Sequence, residues 1–202
     1  MDVAKGLPKK TEMVLFCKLT KYQQDKYLNF LKSSTAESIL NGRKNALYGI
    51  DIMKKICNHP DLLLLNEKYF KGKAEEVIGG DDNYSDDNNS SHEVIKKSFG
   101  DPAYSGKMQV LKTLVTLWKS EGHKILLFTQ TKQMLNILET FIQRLGTGDD
   151  VINYLRMDGS TPIKARQELM DRFNHDPTIH IFLLTTSVGG LGVNVTGSDS
   201  VI

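Results

Sequence analysis

The 202-residue sequence predicts an α/β fold, a parallel sheet covered by helices on both faces. Three observations carry this. From residue 101 onward, strand-like and helix-like segments alternate with short loops between them. The run Ile125-Leu126-Leu127-Phe128 is apolar without alternation, as in strands covered on both sides. The intervening segments place apolar residues at three- and four-residue steps, the period of a helix with one buried face.

The elements follow in chain order. Met13 to Leu19 (MVLFCKL) is a short apolar run with strand character. Thr20 offers an N-cap for a helix reaching about Leu31, with Tyr27, Phe30 and Leu31 on one face. A second helical stretch, about Ile39 to Cys57, spaces Leu47, Ile50, Met53 and Cys57 along a stripe, and Pro60 fixes its end. Residues 1–78 thus read as a strand and helical lead-in packed on the α/β domain of 101–202. Gly79 to His92 (GGDDNYSDDNNSSH) has almost no apolar content, so 79–100 is expected to be a disordered acidic insertion. In 101–202, Ser105 caps a helix burying Met108, Leu111, Val115 and Trp118, and the strand at Ile125 comes next. A helix from Thr131 buries Met134, Leu138, Phe141 and Leu145. Then come a strand (Ile152 to Met157), a helix capped by Thr161 with Pro162 at its first position, and a strand (Ile179 to Leu184).

Composition bounds the function. No run of eighteen apolar residues suggests a membrane span. Cys17 and Cys57 lack the spacing of a zinc site or a disulfide framework, and the five histidines show no metal spacing, so no metal site is expected in this chain. Charge is uneven: residues 1–60 carry eleven Lys/Arg against five Asp/Glu, a bias that favours a polyanion but equally suits a solvated helical surface. Gly106-Lys107 is not a phosphate-gripping Walker loop, because Gly100 lies six residues back and Met108 stands where a hydroxyl must hold magnesium.

In parallel sheets ligands sit beyond the carboxyl ends of the strands, so the informative residues come just after Phe128, Met157 and Leu184. After Leu184 come Thr185, Thr186 and a glycine-rich turn with Gly189, Gly190 and Gly192. Hydroxyls and exposed backbone N–H groups there suit a phosphate or ribose, and suit a plain tight turn as well. After Met157 come Asp158, Gly159, Ser160 and Thr161, leading into a helix with Arg166, a combination fitted to a nucleic-acid phosphate. Thr129-Gln130 closes the first strand. No nucleophile elbow and no acid pair form a complete catalytic centre.

Three polar loops at successive strand ends, with the blocks EMVLFCKLTKYQQDKY, KICNHPDLL, SGKMQVLKTLV, KILLFTQTKQMLNILE, YLRMDGSTPIKARQELMDRFN and FLLTTSVGGLGVNVTGSD, resemble the second RecA-like lobe of SWI/SNF-type, superfamily-two DNA-dependent ATPases. Within that branch the wording is most similar to the Cockayne syndrome group B-like subgroup of transcription-coupled repair. The resemblance implies a motor lobe of an ATP-driven translocase on double-stranded DNA, nuclear, using ATP and Mg²⁺ held mainly by a first RecA-like lobe, with RNA polymerase II as partner. It implies DNA-facing roles for Thr129, Gln130, Gly159, Ser160, Thr161, Arg166, Thr185 and Thr186, and nucleotide-facing roles for Gly189, Gly190 and Gly192. Lys107 and Cys57–Pro60 match family signatures expected to be scaffolding. The sequence stops before the family's arginine-finger motif and lacks its ATP-gripping loop, so both termini read as cuts and the chain alone is expected to be inactive. A chromatin-remodelling translocase of the same branch, or a non-catalytic RecA-like docking module, are the alternatives.

Overall fold

The structure, a computed structural model, describes residues 11–64, 99–146, 151–189 and 194–202. In chain order the helices and strands are α1 (Lys21–Leu31), α2 (Ser34–Leu40), α3 (Ala46–Asn58), α4 (Gly106–Ser120), β1 (Ile125–Thr129), α5 (Lys132–Leu145), β2 (Tyr154–Met157), α6 (Ile163–His175), β3 (Ile181–Thr185), α7 (Thr186–Gly189) and β4 (Ser200–Val201). Short 3-10 turns at Pro60–Leu62 and Pro102–Tyr104 flank the segment joining the helical lead-in to α4.

The sheet is parallel throughout, in the order β2-β3-β1-β4. Every residue of β3 is buried, which is why Ile181–Thr185 is apolar on both faces rather than alternating. One face carries Ile125, Leu127, Ile181 and Leu183, packed under Met108, Leu111 and Val115 of α4 and the apolar stripe of α5. The other face carries Leu126, Phe182 and Leu184, packed against Met170 and Phe173 of α6 and Val188 of α7. The predicted two-sided covering is therefore present, and the predicted core residues of α4 and α5 are in it, with Trp118 and Leu145 only partly buried at its margin.

The lead-in forms its own small core of Phe30, Ala36, Ile52 and Ile56. Gln23, fully buried, ties it to the sheet domain: its Nε2 donates to Ile56 O (2.8 Å) and Cys57 O (3.1 Å), and its Oε1 accepts from Gly106 N (3.0 Å) and Thr20 N (3.1 Å). The Cys57–Pro60 and Lys107 signatures belong to the same joint. Lys107 Nζ donates to Asn58 Oδ1 (2.8 Å), Ser105 Oγ to Asn58 O (2.6 Å), and Gly100 N to Asp61 Oδ2 (2.7 Å). Gly106 is needed for close approach: a Cβ there would lie 1.9 Å from Lys18 O.

Four expectations need correction. Residues 11–20 contain no strand, Met13 to Phe16 are exposed, and among the described residues the run pairs with none of the four strands. The stretch from Ile39 to Cys57 is broken into α2 and α3 by a turn with Gly42 at φ 69°, and Asn45 caps the second helix. In α3 the buried stripe is Gly49, Ile52 and Ile56, while Leu47 and Ile50 face outward, as does Leu31 of α1. Finally, the N-cap of α6 is Pro162, which makes no side-chain cap, and Thr161 Oγ1 instead accepts from Asp158 N (3.1 Å). Of the expected insertion, 79–98 lies outside the described residues.

Candidate nucleic-acid interface at the carboxyl edge of the sheet

Because all strands run the same way, the three polar corners lie along one edge. The register sets Thr129 directly beside Thr185 and Met157 beside Leu184, so the corners stand in the order Asp158–Thr161, Thr185–Thr186, Thr129–Gln130. The chain leaving β1 enters α5 on one face, whereas Val188, just after β3, packs on the opposite face. Adjacent strands whose connections part to opposite faces leave a crevice between their carboxyl ends, the usual ligand position in open parallel sheets.

At the β1 corner Thr129 is half-buried, Gln130 is exposed, and Thr131 caps α5 by accepting from Met134 N (3.2 Å). An open cleft of about 570 Å³ separates this corner from the lead-in, with Lys54, Lys55 and Lys107 among its lining residues. At the β3 corner Thr185 is buried with its hydroxyl 3.2 Å from Ser187 Oγ, and Thr186 is exposed at the start of α7. Gly189 ends α7, while Gly190 and Gly192 lie outside the described residues.

The β2 corner is built around Asp158, a buried carboxylate. Its Oδ1 accepts from Ser160 N (2.8 Å) and Ser160 Oγ (2.5 Å), and its Oδ2 accepts from Arg156 Nε (3.2 Å) and Nη2 (2.9 Å). The Ser160 hydroxyl, then its backbone N–H and the Arg156 guanidinium, hold the carboxyl well below the usual carboxylate range, outweighing the opposing effect of burial. Arg156 also pairs with Glu139 and donates to Asn136 Oδ1 (2.8 Å), both on α5. Lys132, the first residue of α5, reaches to the same corner, its Nζ 2.9 Å from Ser160 Oγ and 3.7 Å from Asp158 Oδ1. Gly159 and Ser160 are thereby presented to solvent on a braced loop.

Arg166 lies one turn into α6. Its Nε donates to Thr161 O (3.0 Å), and no protein partner among the described residues takes its terminal nitrogens. With α6 uncapped by any side chain, its first backbone N–H groups and the Arg166 fork converge on the Thr161 side of the edge, a pairing suited to an anionic oxygen.

Sequence reasoning missed Arg156 and Lys132, whose roles depend on partners far along the chain. A basic residue just inside a helix that starts at a strand's carboxyl end was the one signal for Lys132.

The family model for the helicase conserved C-terminal domain matches residues 106–202, and that for the SNF2-related domain matches residues 1–62. The chain belongs to the SWI/SNF-related ATPase family. This SWI/SNF-related chain is 53% identical over 201 residues to the DNA repair and recombination protein RAD26 of Saccharomyces cerevisiae, covering 100% of itself and 16% of that protein. It is 45% identical to the DNA excision repair protein CSB of Oryza sativa subsp. japonica, covering 100% of itself and 14% of that protein. To the human DNA excision repair protein ERCC-6 it is 43% identical over 197 residues, 98% of the chain and 12% of that protein. The chain therefore spans only a small part of the curated relatives it matches. Among solved structures, the C-terminal part of the Fun30 ATPase domain superposes with a TM-score of 0.62 at 24% identity, covering 96% of this chain and 75% of that one. The Sulfolobus solfataricus SWI2/SNF2 ATPase core in complex with dsDNA gives a TM-score of 0.62 at 19% identity, covering 92% and 32%. At these identities the superpositions show the shared fold, the RecA-like lobe that the resemblance implied.

Proposed function

We propose that this SWI/SNF-related chain is the second motor lobe of an ATP-dependent translocase on double-stranded DNA, acting in transcription-coupled repair with RNA polymerase II in the nucleus. The observation carrying this reading is the alignment of three hydroxyl-bearing corners along one edge of a rigid parallel sheet. Thr129 and Gln130, then Thr186 with the buried Thr185 beneath it, then Gly159, Ser160 and Thr161 with Arg166, would follow one phosphate backbone. The repair assignment is supported by the identity to RAD26 and ERCC-6. Contacts to phosphates carry no base information, so binding is indifferent to sequence.

Gly189, Gly190 and Gly192 would face the nucleotide. ATP and Mg²⁺ would be held mainly by a first RecA-like lobe of the intact protein, as the family resemblance implies. In the cycle we infer, that lobe and this one close on ATP and reopen after hydrolysis, and this lobe's part is to hold the DNA strand firmly through the step. The braced β2 corner suits that part, since a loop that yields under load transmits no displacement.

Equilibrium binding to duplex DNA across a range of salt tests the reading. About three phosphate contacts give a log–log slope of about −2 to −3. A slope near zero would reject it.

A further inference from the structure

Lys132 lies outside the hydroxyl corners, and its geometry gives it a position none of them has. It begins α5 beside the β1 corner, yet its ammonium is bound at the β2 corner, on Ser160 Oγ at 2.9 Å. The strand order puts β3 between those two corners, and two interstrand spacings amount to roughly 10 Å. The ammonium therefore lies at the β2 corner, on the sheet edge that also carries Thr185 and Thr186.

Its charge is not consumed in doing so. The side chain remains 57% exposed, and among the described residues only one of the ammonium's three donors has a hydrogen-bond partner. Asp158, at 3.7 Å, is beyond hydrogen-bonding distance, and its carboxylate is already satisfied by Ser160 and by two nitrogens of Arg156. Around the β2 corner three cations, Lys132, Arg156 and Arg166, face two carboxylates, Asp158 and Glu139. The surplus positive charge lies with the two cations at the solvent edge, Lys132 and Arg166, because Arg156 is spent between the carboxylates.

We propose that Lys132 is a further phosphate-binding residue, held by Ser160 so that its two remaining donors take an oxygen of the DNA backbone between the β2 and β3 corners. The inference rests on the DNA-binding reading above and adds a residue to it. Ser160 thereby acquires a second role, since its hydroxyl orients the lysine as well as closing the loop on Asp158.

The deciding experiment is the salt dependence of duplex binding for the 202-residue chain, for Lys132→Ala and Lys132→Arg, and for Lys112→Ala as an exposed control on α4. Removing one phosphate contact reduces the steepness of the log–log slope by about 0.9. Lys132→Ala is expected to show that reduction, Lys132→Arg and Lys112→Ala to keep the parent slope, and all to keep the parent's circular dichroism. An unchanged slope in Lys132→Ala, with the parent binding steeply, overturns the role of Lys132 and leaves the DNA-binding reading standing. The same reduction in Lys112→Ala overturns it too, by showing a general charge effect. A parent slope near zero removes the DNA-binding reading itself.

Discussion

Asp158 shows how much one side chain can organise. Four donors converge on a carboxylate that is 4% exposed, and α5, β2 and the loop before α6 all meet at it through Arg156 and Ser160. Asp158→Ala leaves Arg156 with Glu139 but frees the loop, and the lost charge-assisted bonds put the cost at about 2–3 kcal/mol at neutral pH. The carboxyl is held below its ordinary value, so its contribution is fully present above the unfolded carboxylate pKa of about 3.9 and is lost as pH falls through the lower folded value. Urea denaturation of the parent and the variant should therefore differ at pH 7 and converge in strong acid. A difference that stays constant on acidification would show that the carboxylate charge is not what matters.

At the scale of elements, the joint between the lead-in and α4 is where small changes should cost most. Gly106 opens α4, and an alanine there would ordinarily gain about 1 kcal/mol of helix propensity. Here the added methyl would meet Lys18 O at 1.9 Å, so Gly106→Ala is expected to lose about 3 kcal/mol instead, and the sign alone decides between the two effects. Gln23→Leu leaves two carbonyls and two N–H groups of the joint without their partner, and should cost at least about 3 kcal/mol. Both are read from chemical denaturation midpoints, and a stabilised Gly106→Ala would mean that the backbone at residue 18 has room to retreat.

The same elements show what the sequence makes legible. Strands β1 and β3 could be read because residues buried on both faces must be apolar without alternation, a pattern that helices at the surface rarely imitate. Helix α3 could not be oriented, since it carries two apolar stripes, Leu47-Ile50-Met53-Cys57 and Gly49-Ile52-Ile56, and only the position of Phe30 and Ala36 selects the second. The break before it was signalled by Asn41-Gly42, a turn dipeptide within an otherwise helical pattern. The hydroxyl corners were legible from their position at strand ends. The salt-bridged brace beneath them was not, because Arg156 and Glu139 are seventeen residues apart and meet only once α5 lies across the sheet.

For the whole molecule, the proposed sharing of the nucleotide between two lobes implies that one lobe alone is inactive. This chain is expected to show no ATP turnover at any DNA concentration, and to support turnover when a first lobe is supplied in trans. A coupled phosphate-release assay checks both, and turnover by the chain alone would refute the proposed division of labour between the lobes. A chain that binds DNA but never restores turnover would favour the docking-module alternative.

The Arg156–Glu139 pair has one more effect, through its place on β2. That strand is four residues long and lies at the end of the sheet order, where unpaired backbone groups invite a second chain to add on. Arg156, near its centre, is fastened across the sheet face to Glu139 and Asn136 of α5, which ties this edge strand to the layer above it. A separated lobe thus keeps its edge strand docked through the same residue that stiffens its neighbouring loop.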